Sequence, residues 1–320
     1  MLGVWRLQLL REVHLRGSIK AAAEAMSVTP SAVSQQLAIL EREAGVELLE
    51  RDGRQVRLTE AAVRLVRHAD TITGAIAAAE ADVATMQSSV TGTLRVAAFP
   101  TAARAVMPQV MTALSRRHPE LRVTLRDLEA DESLPALQLG EIDVAIVDDY
   151  GDGSRVPSPD LQVCEFMRDP IYLASAAFGA ARASGHSAAP TRAARDDAIP
   201  APARLEEFRD AFWIMDTDNS HLSQVTRRAC RAAGFEPHVR SSCRDFGVII
   251  ALVEAGLGVG VLPGLALSDR PVRAVVRPID PPLVRRVLSV VRPERRDHPM
   301  IVSVLSELER FGAGYLPPLG

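Results

Sequence analysis

Apolar residues recur at helical spacing through the first forty positions. Leu7 and Leu10 mark one stripe, which Gly17 ends. Ser18 suits the N-cap of a second helix, in which Ile19, Ala22, Ala23 and Met26 share a face. Ser27, Val28 and Thr29 form a short turn. Thr29 can cap a third helix, and Pro30 fits its first position, where the N–H it lacks would have no partner. Val33, Leu37 and Leu40 then face inward, Ser31, Ser34, Gln35 and Ala38 face outward, and Gly45 ends the helix. Next, Leu48, Leu49, Val56 and Leu58 flank Asp52-Gly53, a hairpin signal because both central residues of such a turn need positive φ.

From Thr59 to Val90 the pattern predicts one long helix, capped by Thr59 with Glu60 in its first turn. Ala62, Leu65, Ala69, Ile72, Ile76, Ala79, Val83 and Met86 alternate in steps of three and four, a seam that predicts pairing with another helix. Leu65, Ile72, Ile76 and Val83 are its candidate dimerisation residues. Burial against its own domain is the competing reading, but so long a helix outruns a small domain's core. Gly74, on the outer face, weakens the helix locally.

After Gly92 strands and helices alternate. Strands are predicted at Thr93–Ala98, Leu121–Leu128, Asp143–Val147, His238–Ser242, Val259–Leu262 and Arg285–Val291. Helices are predicted at Ala102–Arg117, Ser133–Leu139, Ser220–Ala233, Asp245–Ala255 and Pro299–Phe311. Such alternation implies parallel sheets covered by helices. The Pro- and Ala-rich stretch Ala188–Ala203 reads as a loop, and no internal repeat is visible.

Composition narrows the class. A chain of 320 residues suggests two or three domains, and 47% hydrophobic with 24% charged residues fits a globular protein. No signal-peptide pattern opens the chain and no apolar run is long enough for a bilayer, so a cytoplasmic location is expected. Cys164, Cys230 and Cys243 show no CxxC or zinc spacing and read as free thiols. The net charge of -3 does not announce a nucleic-acid binder. Lys20 is the only lysine among 37 basic residues, so arginine abundance alone carries little information.

Chemistry must therefore come from placement. Two helices joined by a short turn, the second exposing small and amide side chains, form the helix-turn-helix pattern. Small residues let a helix sit deep in the major groove, and an amide such as Gln35 can pair with an adenine edge. An ordinary helical hairpin with a solvated face fits those residues equally well. The following hairpin tilts the balance, because Arg51, Arg54 and Arg57 cluster on or beside it, as a wing touching phosphates requires. In this reading Ser31, Ser34 and Gln35 read base edges, Pro30 lies beside them in the DNA-binding face, and Ser18, Thr29 and the three arginines hold the backbone of double-stranded DNA.

The run GSIKAAAEAMSVTPSAVSQQLAILEREAGVELLERDGRQVRLTEAA, the segment ALVEAGLGVGVLP (Ala251–Pro263) and the segment GTLRVAAFPTAARAVMPQV together resemble the LysR-type transcriptional regulators, over essentially the whole chain. The resemblance implies a multidomain fold: an N-terminal α winged helix-turn-helix at residues 1–59, a dimerisation linker helix at 60–91, and an α/β effector-binding domain at 92–320. That last domain would be a two-lobed sensor of the periplasmic-binding-protein type. Lobe I would span about 92–162 and 265–320, and lobe II about 163–264. The family forms dimers of dimers, so a homodimer or homotetramer is implied. Pro30 stands where the family often has glutamine and Gln35 where it often has arginine, so target sequences do not transfer. Leu49 and Ala62 replace a usual phenylalanine and glycine.

Ligands of open α/β sheets sit beyond the carboxyl ends of strands. That rule points to Phe99-Pro100-Thr101, Asp148-Asp149-Tyr150, Asn219-Ser220-His221 and Arg244-Asp245-Phe246. Thr101, at a strand-to-helix turn, suits an anion. It also occupies the place where the family presents a hydroxyl to its effector. Asp148, Asp149, Asp216 and Asp218 would suit a cationic group. The candidate effector contacts are Pro100, Thr101, Asp148, Asn219, Ser220 and Phe246, for a small polar molecule of unknown identity, with no cofactor or metal expected. A solute-binding protein or an enzyme on the same two-lobed fold is the alternative. The seven histidines are scattered, and no GxSxG, P-loop or HExxH occurs. Gly256-Leu257-Gly258-Val259-Gly260 precedes a strand instead of opening a helix.

Overall fold

Hydroxyl caps start three of the first four helices. Ser18 accepts from Ala21 N–H at the head of α2 (Ile19–Ala25), and Thr29 from Ala32 N–H at the head of α3 (Pro30–Ala44). Thr59 accepts from Ala62 N–H at the head of α4 (Glu60–Thr85). Ahead of them lies α1 (Val4–Arg16), which Gly17 closes in the left-handed conformation at φ 69°, as Gly45 closes α3 at 71°. The computed structural model describes residues 1–52, 55–86, 90–151, 160–177, 201–268 and 271–318.

Leu7, Leu10, Val13, Ala22, Ala23, Val33, Leu37, Leu40 and Leu48 close one core, joined by Ala62, Val66 and Ala69 from the first half of α4. Strands β1 (Leu49–Asp52) and β2 (Gln55–Leu58) pair antiparallel beside it. The Glu41 carboxylate accepts the N–H groups of Leu48 and Leu49, fixing where the wing leaves the core. Gly53 and Arg54, at the expected turn, lie outside the described residues.

The linker helix departs from expectation in two ways. It stops at Thr85 with Met86 as its cap, short of Val90. Its seam is also divided: Leu65 and Ile72 pack against the winged-helix core, whereas Ile76, Val83 and Met86 are exposed.

The second domain begins with β3 (Gly92–Ala98), followed by α5 (Pro100–Ala105) and α6 (Met107–Arg117). One helix was expected here. Pro108 splits it, since proline belongs in a first turn and cannot continue a helix from behind. Then come β4 (Leu121–Asp127), α7 (Ala130–Gln138), β5 (Val144–Asp149), β6 (Gln162–Ser175), β7 (Ala203–Arg204) and β8 (Phe212–Met215). The order continues with α8 (His221–Ala232), β9 (His238–Ser242), α9 (Phe246–Glu254), β10 (Val259–Pro263) and α10 (Gly264–Leu267). Strands β11 (Val275–Asp280) and β12 (Val284–Val291) and helix α11 (Pro299–Gly314) complete it.

Strand order β4-β3-β5-β12-β6-β10-β8-β9 runs through both lobes. β3 pairs parallel with β4 and β5, and β8 parallel with β9 and β10. The centre is antiparallel: β12 lies between β5 and β6, and β6 pairs antiparallel with β10 and β11 as well. The sheets are thus mixed, a correction to the all-parallel expectation. The long strand β6 is shared, its first half pairing in lobe I and its second half in lobe II. Leu265 of α10 is already buried with the lobe I core near the expected position, while β11 registers with the second half of β6 and β12 with the first, so the last passage into lobe I falls between β11 and β12. The outward crossing likewise falls inside β6, past 163. Most of the predicted loop 188–203 lies outside the described residues.

The glycine run before β10 serves packing. A Cβ on Gly258 would lie 2.5 Å from the Phe212 carbonyl oxygen, so only glycine lets β10 approach β8 there.

Candidate DNA-binding face and inter-lobe site

On α3 the burial pattern separates two faces. Val33, Leu37 and Leu40 are fully buried, while Pro30, Ser31, Ser34, Gln35 and Ala38 are exposed. Some hydroxyls are partly engaged: Ser34 Oγ donates to the Pro30 carbonyl at 3.0 Å, and Thr29 and Ser31 share a 3.0 Å hydrogen bond. The Gln35 amide is the longest polar side chain in the first two turns of the exposed face. Ser18 and Thr29 are exposed cap residues at the N-termini of α2 and α3, where N–H groups and helix dipoles favour phosphate oxygens. Arg57 is exposed on β2. Arg51 pairs with Val56 across the hairpin backbone, and Arg54 lies outside the described residues.

The inter-lobe site is built around a residue that the sequence reading did not single out. Arg285, the second residue of β12, is 2% exposed. Its Nε donates to Asp169 Oδ2 at 2.8 Å, its Nη2 to Thr101 Oγ1 at 2.8 Å, and its Nη1 to Asp148 Oδ2 at 3.4 Å. The guanidinium carbon lies 4.9 Å from the centre of the Phe99 ring, a cation–π contact. Burial works against the charge, but Asp169, Tyr150 and Asp148 outweigh it and hold Arg285 more firmly protonated than usual.

Asp169, fully buried, collects the other donors. It accepts from Leu265 N–H at 3.1 Å and from the Tyr315 hydroxyl at 2.9 Å. Arg285 and Asp169 stand directly opposite one another in the β12–β6 register. The two strands that carry the chain between lobes are therefore pinned to each other at their crossing. Burial, with the Asp169 charge, raises the Tyr315 phenol well above its ordinary value.

Lobe II contributes from the head of α8. Ser220 caps that helix by accepting from Ser223 N–H at 3.1 Å, and His221 stacks edge-on against Tyr150, their rings 4.8 Å apart. Asp216 lies on the same side; burial, and then the nearby Asp148 charge, raise its carboxyl above the ordinary range.

Of the expected effector contacts, the structure brings Thr101 and Asp148 together. Thr101 does not face outward, however: it is 3% exposed and its hydroxyl is taken by Arg285. Pro100 and Asn219 are exposed, and Phe246 is half-buried among apolar residues of lobe II. Asp149 is engaged by Arg286, and Asp218 pairs with Arg227 at 2.8 Å, so neither is a spare acid. No group of His, Cys, Asp and Glu suited to a metal ion occurs among the described residues.

Two family models cover this chain. The bacterial regulatory helix-turn-helix protein model of the lysR family matches residues 5–63, and the LysR substrate binding domain model matches residues 87–311. The chain belongs to the LysR family. As a LysR-type regulator it binds DNA through the first of these domains, answers a small-molecule effector through the second, and self-associates. Among curated relatives, the transcriptional dual regulator GltC of Bacillus subtilis (strain 168) is 26% identical over 96% of this chain and 98% of its own. A probable hydrogen peroxide-inducible genes activator of Mycobacterium leprae (strain TN) is 29% identical over 81% of this chain and 77% of its own. A solved single-residue variant of full-length OxyR from Pseudomonas aeruginosa shares the fold of this LysR-type chain, with a TM-score of 0.64 at 20% identity, covering 97% and 98% of the two chains. CbnR bound to its target DNA aligns at 0.52 and 20% identity, covering 97% and 99%. No helix among the described residues is long and apolar enough to cross a membrane.

Proposed function

We propose that this LysR-type regulator reads DNA with the outer face of α3 and senses a small polar molecule at the Thr101–Arg285 network between its lobes. It acts in the cytoplasm as a homodimer or homotetramer and performs no catalysis. Ser31, Ser34 and Gln35 read base edges beside Pro30. Ser18, Thr29, Arg51, Arg54 and Arg57 contact phosphates. The exposed apolar residues Ile76 and Val83 on α4 supply the pairing surface, and Leu65 and Ile72 stiffen its start from within the winged-helix core.

The observation that carries the sensor assignment is the buried guanidinium of Arg285, tied to both interlobe strands and to Thr101. Buried ion pairs are poor sources of stability compared with apolar packing, so such a node fits a switch better than a scaffold. A carboxylate on the effector would displace Asp148, whose 3.4 Å contact with Arg285 is the longest of the three. Pro100 and Asn219 would line the rim, with Ser220 and Phe246 facing from lobe II. Domain limits follow the same reading: winged helix to residue 59, a linker to about 91 whose helix ends at Thr85, and sensor from 92 to 320.

Genomic fragments selected by the purified protein provide operators for a mobility-shift assay. Titration with small carboxylates, followed by calorimetry, then identifies the effector. Binding of no fragment above the non-specific level would end the DNA assignment, and an effector located outside the inter-lobe site would end the sensor assignment.

A further inference from the structure

The winged-helix unit does not hang free of the sensor. Arg16, at the end of α1, bridges Glu12 at 2.7 Å and reaches Glu141 of lobe I at 2.9 Å. Arg11 pairs with Asp70 of α4 at 2.6 Å and donates to the Gln138 carbonyl, the last residue of α7, at 3.2 Å. Further along α4, Gly74 meets the 3-10 turn Pro293–Arg295. A Cβ at 74 would lie 3.5 Å from the Glu294 Cβ, so Gly74 faces the sensor and not solvent, contrary to expectation. Arg295 approaches Glu80, six residues further along α4, at 3.9 Å.

That turn is the direct continuation of β12. Arg285 stands at one end of the strand in the inter-lobe network, and Arg292 follows its other end, about 24 Å away at roughly 3.4 Å per residue. Arg292 is anchored by the carbonyls of Leu137 at 2.5 Å and Ile142 at 3.3 Å, and it pairs with Glu294 at 3.5 Å. The neighbouring strand β5 runs the same path in reverse. Asp148 touches Arg285 at its cleft end, while Asp143, just before its other end, is bound by Arg95 at 3.0 Å. Two hydrogen-bonded central strands thus connect the effector network to the surface on which α1 and α4 rest.

We propose that this intrachain surface is a clasp. Lobe I holds the winged helix and linker helix through Arg11, Arg16 and Gly74, and β12 transmits the state of Arg285 to the turn that grips α4. The transmission, but not the clasp, rests on the reading that the effector acts at Arg285. A shift of one end of a paired central strand is resisted sideways by its neighbours and therefore appears at the other end. Coupling of this kind requires two discrete arrangements, clasped and released.

Hydrogen–deuterium exchange on the full-length oligomer, without effector, tests both halves. The reporters are the amides of Arg295, Arg296 and His298, which donate within the turn and the helix head. Gly74→Ala adds only a Cβ that fits, so exchange should stay within about twofold of wild type. Gly74→Ile adds two γ carbons that a helix cannot both turn aside, and should speed exchange of these amides tenfold or more. Wild-type exchange in Gly74→Ile would overturn the clasp. Arg285→Lys keeps the charge but loses the directed contacts, and should speed the same amides. If that variant does not fold, Thr101→Val is read the same way. Unchanged exchange in the folded variant would overturn transmission. Failure of effector binding at Thr101 would leave the Gly74 arm standing, so the two failures are distinguishable.

Discussion

Arg285 and Thr101, separated by 184 positions in the chain, meet through a 2.8 Å hydrogen bond from guanidinium to hydroxyl. Each explains the other's burial. A guanidinium kept from water needs all its N–H groups directed at acceptors, and a threonine hydroxyl at the head of α5 is one that no solvent competes for. In the proposed sensor role Thr101 would act through Arg285, because an effector that engages the guanidinium must rearrange this bond.

Thr101→Val keeps the shape and removes the acceptor. A hydrogen bond to a buried charged group is worth about 1.5–3 kcal/mol, so the sensor should lose about that much in chemical denaturation. Effector affinity should fall by roughly tenfold or more, while DNA binding without effector stays as in wild type. Calorimetry showing equal effector affinity in the two proteins would remove Thr101 from the site.

Gln35→Ala should relax base preference at a single operator position by about 1–3 kcal/mol and leave the rest of the site intact. Arg57→Ala, by contrast, should weaken every sequence alike and reduce the salt dependence of binding by about one phosphate contact. Competition shifts on a set of single-base operator variants separate the two patterns. A uniform loss with Gln35→Ala would return α3's exposed face to a merely solvated one.

The winged helix was readable because local signals there suffice. Ser18, Thr29 and Thr59 cap as their residue types predict, and Leu10, Val33 and Leu37 bury as their spacing predicts. The inter-lobe node was not readable for a matching reason. Arg285 and Asp169 are brought opposite each other by strand register, and β6 carries no alternation strong enough to announce it: residues 163–165 are exposed, then 171–174 are buried on both faces. In a chain whose basic residues are nearly all arginine, one buried arginine has no distinguishing mark. The linker seam was half readable. Periodicity placed Leu65 and Ile72 on the same stripe as Ile76 and Val83, but could not say that the winged-helix core covers the first pair.

That division changes which residues should test self-association. Ile76 and Val83 are exposed at 41% and 62%, whereas aspartate at Ile72 would damage the winged helix itself. The double variant Ile76→Asp, Val83→Asp places two charges in an apolar pairing face. It should shift sedimentation from oligomer to monomer at micromolar concentration, with thermal unfolding of the winged helix unchanged. Binding to an operator with two half-sites should fall by at least a hundredfold, since the second half-site no longer gains from linkage. An oligomer that persists in this variant would place the interface elsewhere.

Asp216 supplies a pH test of the lobe II side of the site. Its carboxyl has an ordinary value of 3.8, raised in the folded protein first by burial and then by Asp148, with Thr217 N–H and the Ser220 hydroxyl acting in the opposite direction. The unfolded chain therefore releases this proton at lower pH than the folded one. Folding is penalised once pH exceeds the unfolded value, the penalty grows until the folded value is passed, and it is constant above that. Asp216→Asn keeps an oxygen to accept from Thr217 N–H, at 2.7 Å in the wild type, and carries no charge. The variant should be more stable than wild type at pH 7, and the difference should shrink toward zero as pH falls below 3.8. Denaturant midpoints across pH 3 to 8 measure this. A difference that stays constant with pH would mean that the gain comes from packing and not from the buried charge. A wild type more stable than the variant at pH 7 would mean that Asp216 makes a favourable ionic contact in the folded oligomer, and that its neighbourhood beside Asp148 is less acidic than the cleft geometry indicates.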